Sequence, residues 1–175
     1  MMIVLIGPSA SGKTEIAKYL MKHFGYKKCI TTTTRDKRIG EVADVDYHFV
    51  SKSTFEQYIK SDLLVEHSVY QQQYYGLLKR DMIPDGIVIL DPNGANAALK
   101  LGIEVYVVYI EVSTQERYRR MLNRGDDKGI IASRIENDDA LFDIKKIDRI
   151  DVIIENQGDL SQAARKIYEL HQNRK

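Results

Sequence analysis

The chain has 175 residues, of which 43% are hydrophobic and 29% are charged, and its formal net charge at pH 7 is +1. This length suits a single domain with a sizeable core, and the balanced charge gives no sign of nucleic-acid or membrane partners. The lone Cys29 excludes an intramolecular disulfide framework, and no cysteine–histidine cluster predicts zinc. A strand-like start without a signal-like segment, and the lack of a membrane-length apolar run, predict a cytoplasmic protein.

The first predicted element is an apolar strand at residues 2–6, which leads into a glycine-rich segment and then a helix at residues 15–24. The segment fits the pattern G-x-x-x-x-G-K-[ST] at every fixed position, so its backbone N–H groups should converge on a polyphosphate. Lys13 can reach β- and γ-phosphate oxygens, and the Thr14 hydroxyl can ligate Mg²⁺. We therefore predict an ATP or GTP site. Its loop consists of Gly7, Pro8, Ser9, Ala10, Ser11, Gly12, Lys13 and Thr14.

The next stretch, residues 31–77, differs in character because it is rich in threonine, tyrosine and charge. Short strand-like pieces lie at residues 47–50 and 63–66, and a capping-box pattern at residues 53–56 predicts a short helix between them. We interpret residues 31–77 as a substrate-binding lobe inserted into a single domain, since no repeat or low-complexity linker separates it. The core of that domain comprises residues 1–30 and 78–175.

The remaining chain alternates between strand and helix patterns. Apolar runs predict further strands at residues 86–91, 104–110 and 151–155. A capping box at Ser113 predicts a helix that continues to about Asn123, and residues 161–171 predict the last helix. Alternation of this kind predicts an α/β fold with a mainly parallel sheet flanked by helices.

Asp91 ends one of these predicted strands, at the edge of the sheet where the phosphate loop is also expected. An acidic residue in this position can hold water on Mg²⁺. It can equally cap the helix that follows. Both interpretations stay open at the level of sequence.

A basic stripe follows the strand at residues 104–110. Arg117, Arg120 and Arg124 recur at spacings of three and four, which places them on one face of a helix. This face is either a solvated helix edge or a clamp for phosphate. Arg134 lies on the next helix with Asp138 one turn away, so an ordinary surface ion pair is an alternative role for it.

Several segments carry a resemblance to a known family: the phosphate loop, residues 31–41, residues 46–49, Glu66 and the Tyr74–Tyr75–Gly76 triplet. Together they resemble guanylate kinases over almost the whole chain. That family consists of P-loop nucleoside monophosphate kinases. The resemblance therefore implies a P-loop NTPase-type sheet with an inserted monophosphate-binding lobe and a short lid. It also implies transfer of the γ-phosphoryl group of ATP to GMP or dGMP, with Mg²⁺ as cofactor and ADP and GDP as products.

The resemblance implies that the acceptor site lies in the inserted lobe. The phosphate of GMP is matched by Arg35, Arg38, Tyr47 and Tyr75, and its base by Thr31, Glu66 and Asn93. Two guanidinium forks suit a phosphate dianion. The Glu66 carboxylate can accept hydrogen bonds from the N1–H and the 2-amino group of guanine together, a donor pair that adenine does not offer.

The resemblance also implies a mobile lid at about residues 124–134, whose arginines close over ATP. The implied catalytic residues are Lys13, Arg35, Arg120, Arg124 and Arg134. Asn156 lies where the family contacts adenine, and Thr14 and Asp91 are the expected metal ligands. We expect closure of lobe and lid to exclude water from the reaction, in a protein that acts as a monomer or homodimer.

Two residues depart from the family pattern at the base-reading end. Leu77 stands where many members carry Ser or Thr and cannot donate to guanine O6, and Asn93 stands where an aspartate is common. Losing one such hydrogen bond costs about 1–3 kcal/mol, so we expect weaker discrimination among bases. A kinase with another acceptor, or a non-catalytic module that binds a phosphorylated ligand, is therefore an alternative to a guanylate kinase.

Each acceptor residue also has a structural alternative. Arg35 and Arg38 could be solvated surface cations, and Tyr47 could pack in the core. Glu66 could do no more than mark the end of a buried strand. Their neighbours in the folded chain distinguish these roles.

Overall fold

A computed structural model describes residues 1–174. The strands are β1 (Met2–Ile6), β2 (Thr31–Thr33), β3 (His48–Phe49), β4 (Leu64–Tyr70), β5 (Gln73–Leu78), β6 (Ile87–Ile89), β7 (Val105–Glu111) and β8 (Val152–Glu155). The helices are α1 (Lys13–Phe24), α2 (Lys52–Lys60), α3 (Pro92–Lys100), α4 (Thr114–Asn123), α5 (Lys128–Leu141) and α6 (Leu160–Gln172). Within residues 1–174, none of the helices combines the length and apolar character needed to cross a membrane.

The larger sheet is parallel and is covered on both faces. Its strand order is β6-β1-β7-β8, and every pairing in it is parallel. Met2, Val4 and Ile6 of β1 belong to one core cluster, whereas Ile3 and Leu5 belong to another. Successive side chains of a strand point to opposite faces, so helix α3 covers one face and α1 and α6 cover the other. The predicted α/β fold with a parallel sheet flanked by helices is confirmed.

The smaller sheet contains residues from the stretch predicted as an inserted lobe. Its order is β3-β2-β5-β4, with β2 and β3 parallel and the other pairings antiparallel. Phe55 of α2 packs against Leu64 and Leu78 in a separate small core. Leu77 pairs with both Thr31 and Glu66, so these three side chains share one face of the sheet.

The parallel arrangement positions the site. In such sheets the carboxyl ends of the strands lie along one edge, where ligands commonly bind. Here β1 leads into the phosphate loop, β6 is followed by Asp91, β7 by Ser113, and β8 by Asn156. Chemistry-bearing residues that are far apart in sequence therefore meet at this edge.

Of the two predicted helix caps, one needs correction. Helix α2 begins at Lys52, because the hydroxyl of Ser51 accepts the cap hydrogen bond from the Thr54 N–H at 3.1 Å; the capping box predicted to start at Ser53 is wrong. The Ser113 cap of α4 is confirmed, since its side chain accepts from the Glu116 N–H. The Glu116 carboxylate, however, binds arginines of its own helix.

Candidate active site

One cavity of about 420 Å³ lies between the phosphate loop and the smaller sheet. Many of the predicted site residues line it: Gly7, Ser9, Ala10, Gly12, Lys13, Thr14, Thr31, Arg35, Arg38, Tyr47, Glu66, Tyr75, Asp91, Arg120 and Arg124. Pro8, Ser11, Asn93, Arg134 and Asn156 do not contribute to this lining. The fold thus brings the predicted donor and acceptor residues to a single site.

The phosphate loop needs glycine at its turn into α1. Gly12 has a φ of 96° and is the N-cap residue of the helix, a conformation that side chains with a Cβ rarely adopt. A Cβ at this position would also overlap the Asn156 amide. The first turn of α1 lies at the cavity, and its N–H groups have no acceptor within the helix. This end of the helix therefore favours the binding of an anion.

Lys13 is folded back onto the loop that carries it. Its Nζ donates to the carbonyl oxygens of Gly7 at 2.6 Å and Pro8 at 2.8 Å, and to Ser11 Oγ at 3.2 Å. Burial lowers the pKa of Lys13 to about 8, and nearby arginines act in the same direction, whereas the Asp138 carboxylate opposes the shift. An anion in the loop would stabilise this ammonium.

Asn156 and Arg120 support the loop from the side. Asn156 is buried, and its Nδ2 donates to the Ser11 carbonyl at 2.8 Å. Arg120 donates to the backbone carbonyls of Ala10 at 3.2 Å and Asn156 at 2.7 Å. The sequence suggested an adenine contact for Asn156, and the structure adds a buttressing role that the sequence analysis missed.

Arg35, which is predicted to bind phosphate, is held by an internal ion pair. Its guanidinium binds Glu41 through two hydrogen bonds of 2.7 and 2.5 Å, and it lies 4.9 Å from the centre of the Tyr47 ring. Glu41 also accepts from the Arg38 N–H at 2.8 Å. The side chain of Arg35 is 11% exposed, so it is not a freely solvated surface cation. Glu41 was not assigned a role from sequence.

Glu66 is a buried carboxylate at the other end of the cavity. Burial, together with the negative charge of Asp91, raises its pKa to about 8, although a hydrogen bond from the Leu77 backbone opposes the shift. Its Oε1 is buried without a hydrogen-bond partner. A Cβ at Gly94 would lie 2.5 Å from its Oε2, so α3 can approach this carboxylate because residue 94 is glycine. Glu66 lies within β4 and not at its end, so the alternative that it only ends a strand is wrong.

The two residues that depart from the family pattern lie outside the cavity lining. Leu77 is 1% exposed and packs in the main core cluster, although it lies on the same face as Thr31 and Glu66. Asn93 is exposed on the first turn of α3. Neither offers a side-chain hydrogen bond to the cavity in this conformation.

Asp91 combines two features that the sequence left as alternatives. Its Oδ1 accepts from the Gly94 N–H at 2.8 Å and caps α3. Its Oδ2 is buried without a hydrogen-bond partner, and the residue lines the cavity with Thr14. The cap is therefore real, and one carboxylate oxygen is left for another ligand.

Arg124 and Arg134, the arginines of the predicted lid, are joined through Asp126. Arg124 donates to its Oδ2 from Nε at 2.9 Å and Nη2 at 2.5 Å, and Arg134 donates from Nη1 at 3.1 Å. The suggested pair of Arg134 with Asp138 is wrong, because the buried Asp138 binds Arg117. Arg124 lines the cavity, whereas Arg134 lies behind Asp126.

A phosphate loop that faces an inserted lobe across one cavity defines a P-loop nucleoside monophosphate kinase. The protein-family model described as guanylate kinase matches residues 1–173. A guanylate kinase of Mycoplasma genitalium is 33% identical over 165 residues, covering 88% of this chain and 68% of its own. One from Sulfurimonas denitrificans is 32% identical, covering 94% and 84%. The chain belongs to the guanylate kinase family.

A solved structure is consistent with this membership at the level of fold. The crystal structure of guanylate kinase from Anaplasma phagocytophilum superposes with a TM-score of 0.75, over 99% of this chain and 85% of that one. The two sequences are 19% identical. The architecture is therefore shared although most residues differ.

Proposed function

We propose that the protein transfers the γ-phosphoryl group of Mg·ATP to GMP or dGMP, giving ADP and GDP or dGDP. The observation that carries the proposal is the single cavity, in which an intact phosphate loop faces paired arginines and a buried, partly unpaired glutamate. The loop suits a triphosphate, the arginines suit a monophosphate, and the glutamate suits guanine. The guanylate kinase activity of the family combines these three ligands.

On the donor side, the backbone N–H groups of the loop and Lys13 would hold the β- and γ-phosphates. Arg120 lies at the same loop, and Asn156 would approach adenine. Thr14 and the unpaired Oδ2 of Asp91 fit Mg²⁺, which often binds through few protein ligands and keeps several waters. When bound, the metal would draw negative charge away from the β- and γ-phosphate oxygens.

On the acceptor side, Arg35, Arg38, Tyr47 and Tyr75 would hold the GMP phosphate. Glu41 accepts from both terminal nitrogens of Arg35 and fixes the guanidinium, so the GMP phosphate would bind its remaining N–H groups. At the base, Glu66 would accept from the N1–H and 2-amino groups of guanine. These two donors would satisfy the buried Oε1 and compensate for the charge that burial disfavours.

The reaction then depends on position and charge. A nucleoside monophosphate already carries anionic oxygens, so its phosphate can attack without a dedicated general base. Lys13 and the arginines would stabilise the charge on the group in transfer, while the two sites hold donor and acceptor in line. We propose that residues 31–77 and a lid at residues 124–134 close to exclude water.

A kinase with relaxed base selectivity is the second candidate. The buried Leu77 offers no hydroxyl to guanine O6, and Asn93 points away from the cavity lining. Base selection would then rest on Glu66 and Thr31. A purely phospho-ligand-binding module is less well supported, because Lys13, Thr14 and Asp91 meet in the same cavity as the acceptor arginines.

A coupled ADP-release assay with Mg·ATP and, separately, GMP, dGMP, AMP, CMP and UMP tests the proposal. We expect turnover of GMP and dGMP well above that of the other three acceptors. Comparable turnover of several bases would favour the second candidate. Binding of Mg·ATP without turnover of any acceptor would contradict an enzymatic role within this panel.

Closure has its own test in small-angle scattering. We expect the radius of gyration to fall when GMP and a non-hydrolysable ATP analogue with Mg²⁺ are added together. An unchanged scattering curve would argue against a mobile lobe and lid. A cytoplasmic location and a monomeric or homodimeric state stay predictions; light scattering on the purified protein measures the second.

A further inference from the structure

A buried polar network lies behind the phosphate loop, and none of the steps above uses it. Asp138 of α5 is 0% exposed. Its Oδ2 accepts from the Ser9 N–H at 2.7 Å and from Arg117 Nη2 at 3.2 Å, and its Oδ1 accepts from the Tyr70 hydroxyl. Three donors from three separate parts of the fold therefore meet on one carboxylate.

Ser9 is the loop residue on which the network converges. Besides its N–H bond to Asp138, its carbonyl accepts from Arg117 Nε at 3.3 Å. Its hydroxyl lies 3.2 Å from the Tyr70 hydroxyl. Backbone N–H, carbonyl and side chain of one residue are thus all fixed by side chains that lie outside the loop.

Such a network is costly unless it is complete. A buried carboxylate loses its hydration, and a buried ion pair is often no more stabilising than well-packed apolar residues. Here the network is well satisfied, because Asp138 has its three donors and Arg117 also binds Asp139 at 2.6 Å. Networks of this kind fix one arrangement of the groups they join.

We propose that Asp138 is a positioning residue for phosphoryl transfer. It fixes the phosphate loop at Ser9, and it links the loop to the acceptor lobe through its hydrogen bond with Tyr70. Ser9 and Tyr70 both line the cavity, whereas Asp138 lies behind Ser9. Asp138 acts through Ser9 and touches no substrate. A small displacement of a positioning group is enough to slow a reaction that depends on in-line geometry.

The same contacts join the two substrate sites. Tyr70 is the last residue of strand β4, which also carries Glu66. Asp138 lies on α5, in the part of the helix that follows the proposed lid at residues 124–134. The hydrogen bond between Tyr70 and Asp138 therefore connects the strand that reads the base to the wall of the donor loop. Binding at one site should raise affinity at the other by the same factor in both directions.

Steady-state kinetics of Asp138→Asn and Tyr70→Phe test the proposal. Because the network holds the loop and not a ligand, we expect kcat to fall about tenfold or more. The KM for GMP should change less than about threefold when it is measured at subsaturating ATP, where the link between the two sites does not contribute. Tyr26→Phe is a matched control: it removes a partly buried hydroxyl that binds His171 at 2.6 Å, at a residue outside the cavity lining. The control should lose stability without losing kcat.

A double replacement separates positioning from stability. Arg117→Met with Asp138→Leu exchanges the ion pair for apolar side chains, an exchange that is often neutral or stabilising. The exchange also leaves the Ser9 N–H and the Tyr70 hydroxyl without their acceptor, so the variant should melt below the wild type. It should nevertheless be folded at the assay temperature and show the reduced kcat. Wild-type kcat in this folded variant would overturn the proposal, even if Asp138→Asn alone does not fold.

The link between the sites has a direct binding test. Titration calorimetry gives the Kd of GMP with and without a non-hydrolysable ATP analogue and Mg²⁺. We expect the analogue to tighten GMP binding in the wild type and to do so much less in Tyr70→Phe. An equal ratio in both proteins would contradict the role of Tyr70. The inference rests on the proposed kinase activity, and inactive wild-type protein would refute that activity first.

Discussion

The donor and acceptor ends of the cavity are built differently. At the donor end, Lys13, Arg120 and Ser9 already bind the protein itself, through backbone carbonyls and the buried Asp138. At the acceptor end, Glu66 Oε1 is buried without a hydrogen-bond partner. The phosphate loop is organised before any ligand arrives, whereas Glu66 carries a buried oxygen that a ligand would satisfy.

This difference shows where binding energy and specificity originate. A loop held by its own hydrogen bonds loses little entropy when a phosphate enters. A buried unpaired carboxylate oxygen destabilises the free protein, and a base with matching donors relieves that cost. Phosphate binding should therefore tolerate changes in the nucleoside, whereas the base-reading end should discriminate.

The largest expected effect comes from removing the cation of the donor end. Lys13→Ala should lower kcat/KM by on the order of 10³-fold, because the charge that stabilises the transferring group is lost. Lys18→Ala is the matched control, since it removes an exposed lysine of the same helix that pairs with Glu15 at 3.0 Å. Retention of a tenth of wild-type activity by Lys13→Ala would contradict this view of the loop.

Glu66→Gln should separate activity from stability. The amide replaces one acceptor oxygen with a donor that opposes the donors of guanine, so kcat/KM for GMP should fall about 100-fold. Stability should change in the other direction. The pKa of Glu66 is raised from 4.5 to about 8 by burial, so the unfolded chain releases its proton first and wild-type stability falls as pH rises through this range.

Chemical denaturation at pH 5 and pH 8 measures this second effect. The variant should be more stable than the wild type at pH 8 by roughly 3 kcal/mol, and should approach it at pH 5. Glu169→Gln, at an exposed glutamate of α6, serves as the control. If wild type and Glu66→Gln show the same change between the two pH values, the carboxylate is not destabilised by burial.

The smallest expected effect concerns Leu77. Leu77→Thr would place a hydroxyl on the face that carries Thr31 and Glu66, and the ratio of kcat/KM for GMP over AMP should rise about tenfold. The smaller side chain should also cost about 2–3 kcal/mol of stability. Leu78→Thr is the matched control, because Leu78 is similarly buried but packs in the small core of the opposite face. Equal base preference in both variants would remove Leu77 from the account of selectivity.

Contiguous features were predictable because they depend on local backbone geometry. The strand, the phosphate loop and α1 follow one another directly, so glycine spacing and the apolar run were sufficient to place them. The Ser113 cap was predictable for the same reason. The cap of α2 was misplaced because Ser51 and Ser53 both precede suitable residues, and the choice depended on where the strand before the helix ended.

It was harder to predict which side of a helix a residue faces and which side chain it binds. Asn93 comes two residues after a capping aspartate, and the start of α3 turns it to the exposed side. Arg134 has a charge one turn away in sequence, yet it binds Asp126 because Asp138 is turned into the core. Glu41 lay within the segment that carries the family resemblance, and its contact with Arg35 required the fold of the lobe.

The sequence by itself determined the α/β alternation and the phosphate loop, because periodicity and glycine placement act over a few residues. The acceptor residues were expected only because the chain resembles guanylate kinases. The tertiary structure decided which distant side chains meet. Ser9 and Asp138 are 129 positions apart, and Tyr70 reaches them from the other sheet. Their contact exists because parallel strands bring separate loops to one edge and packing then fixes which polar groups are buried together.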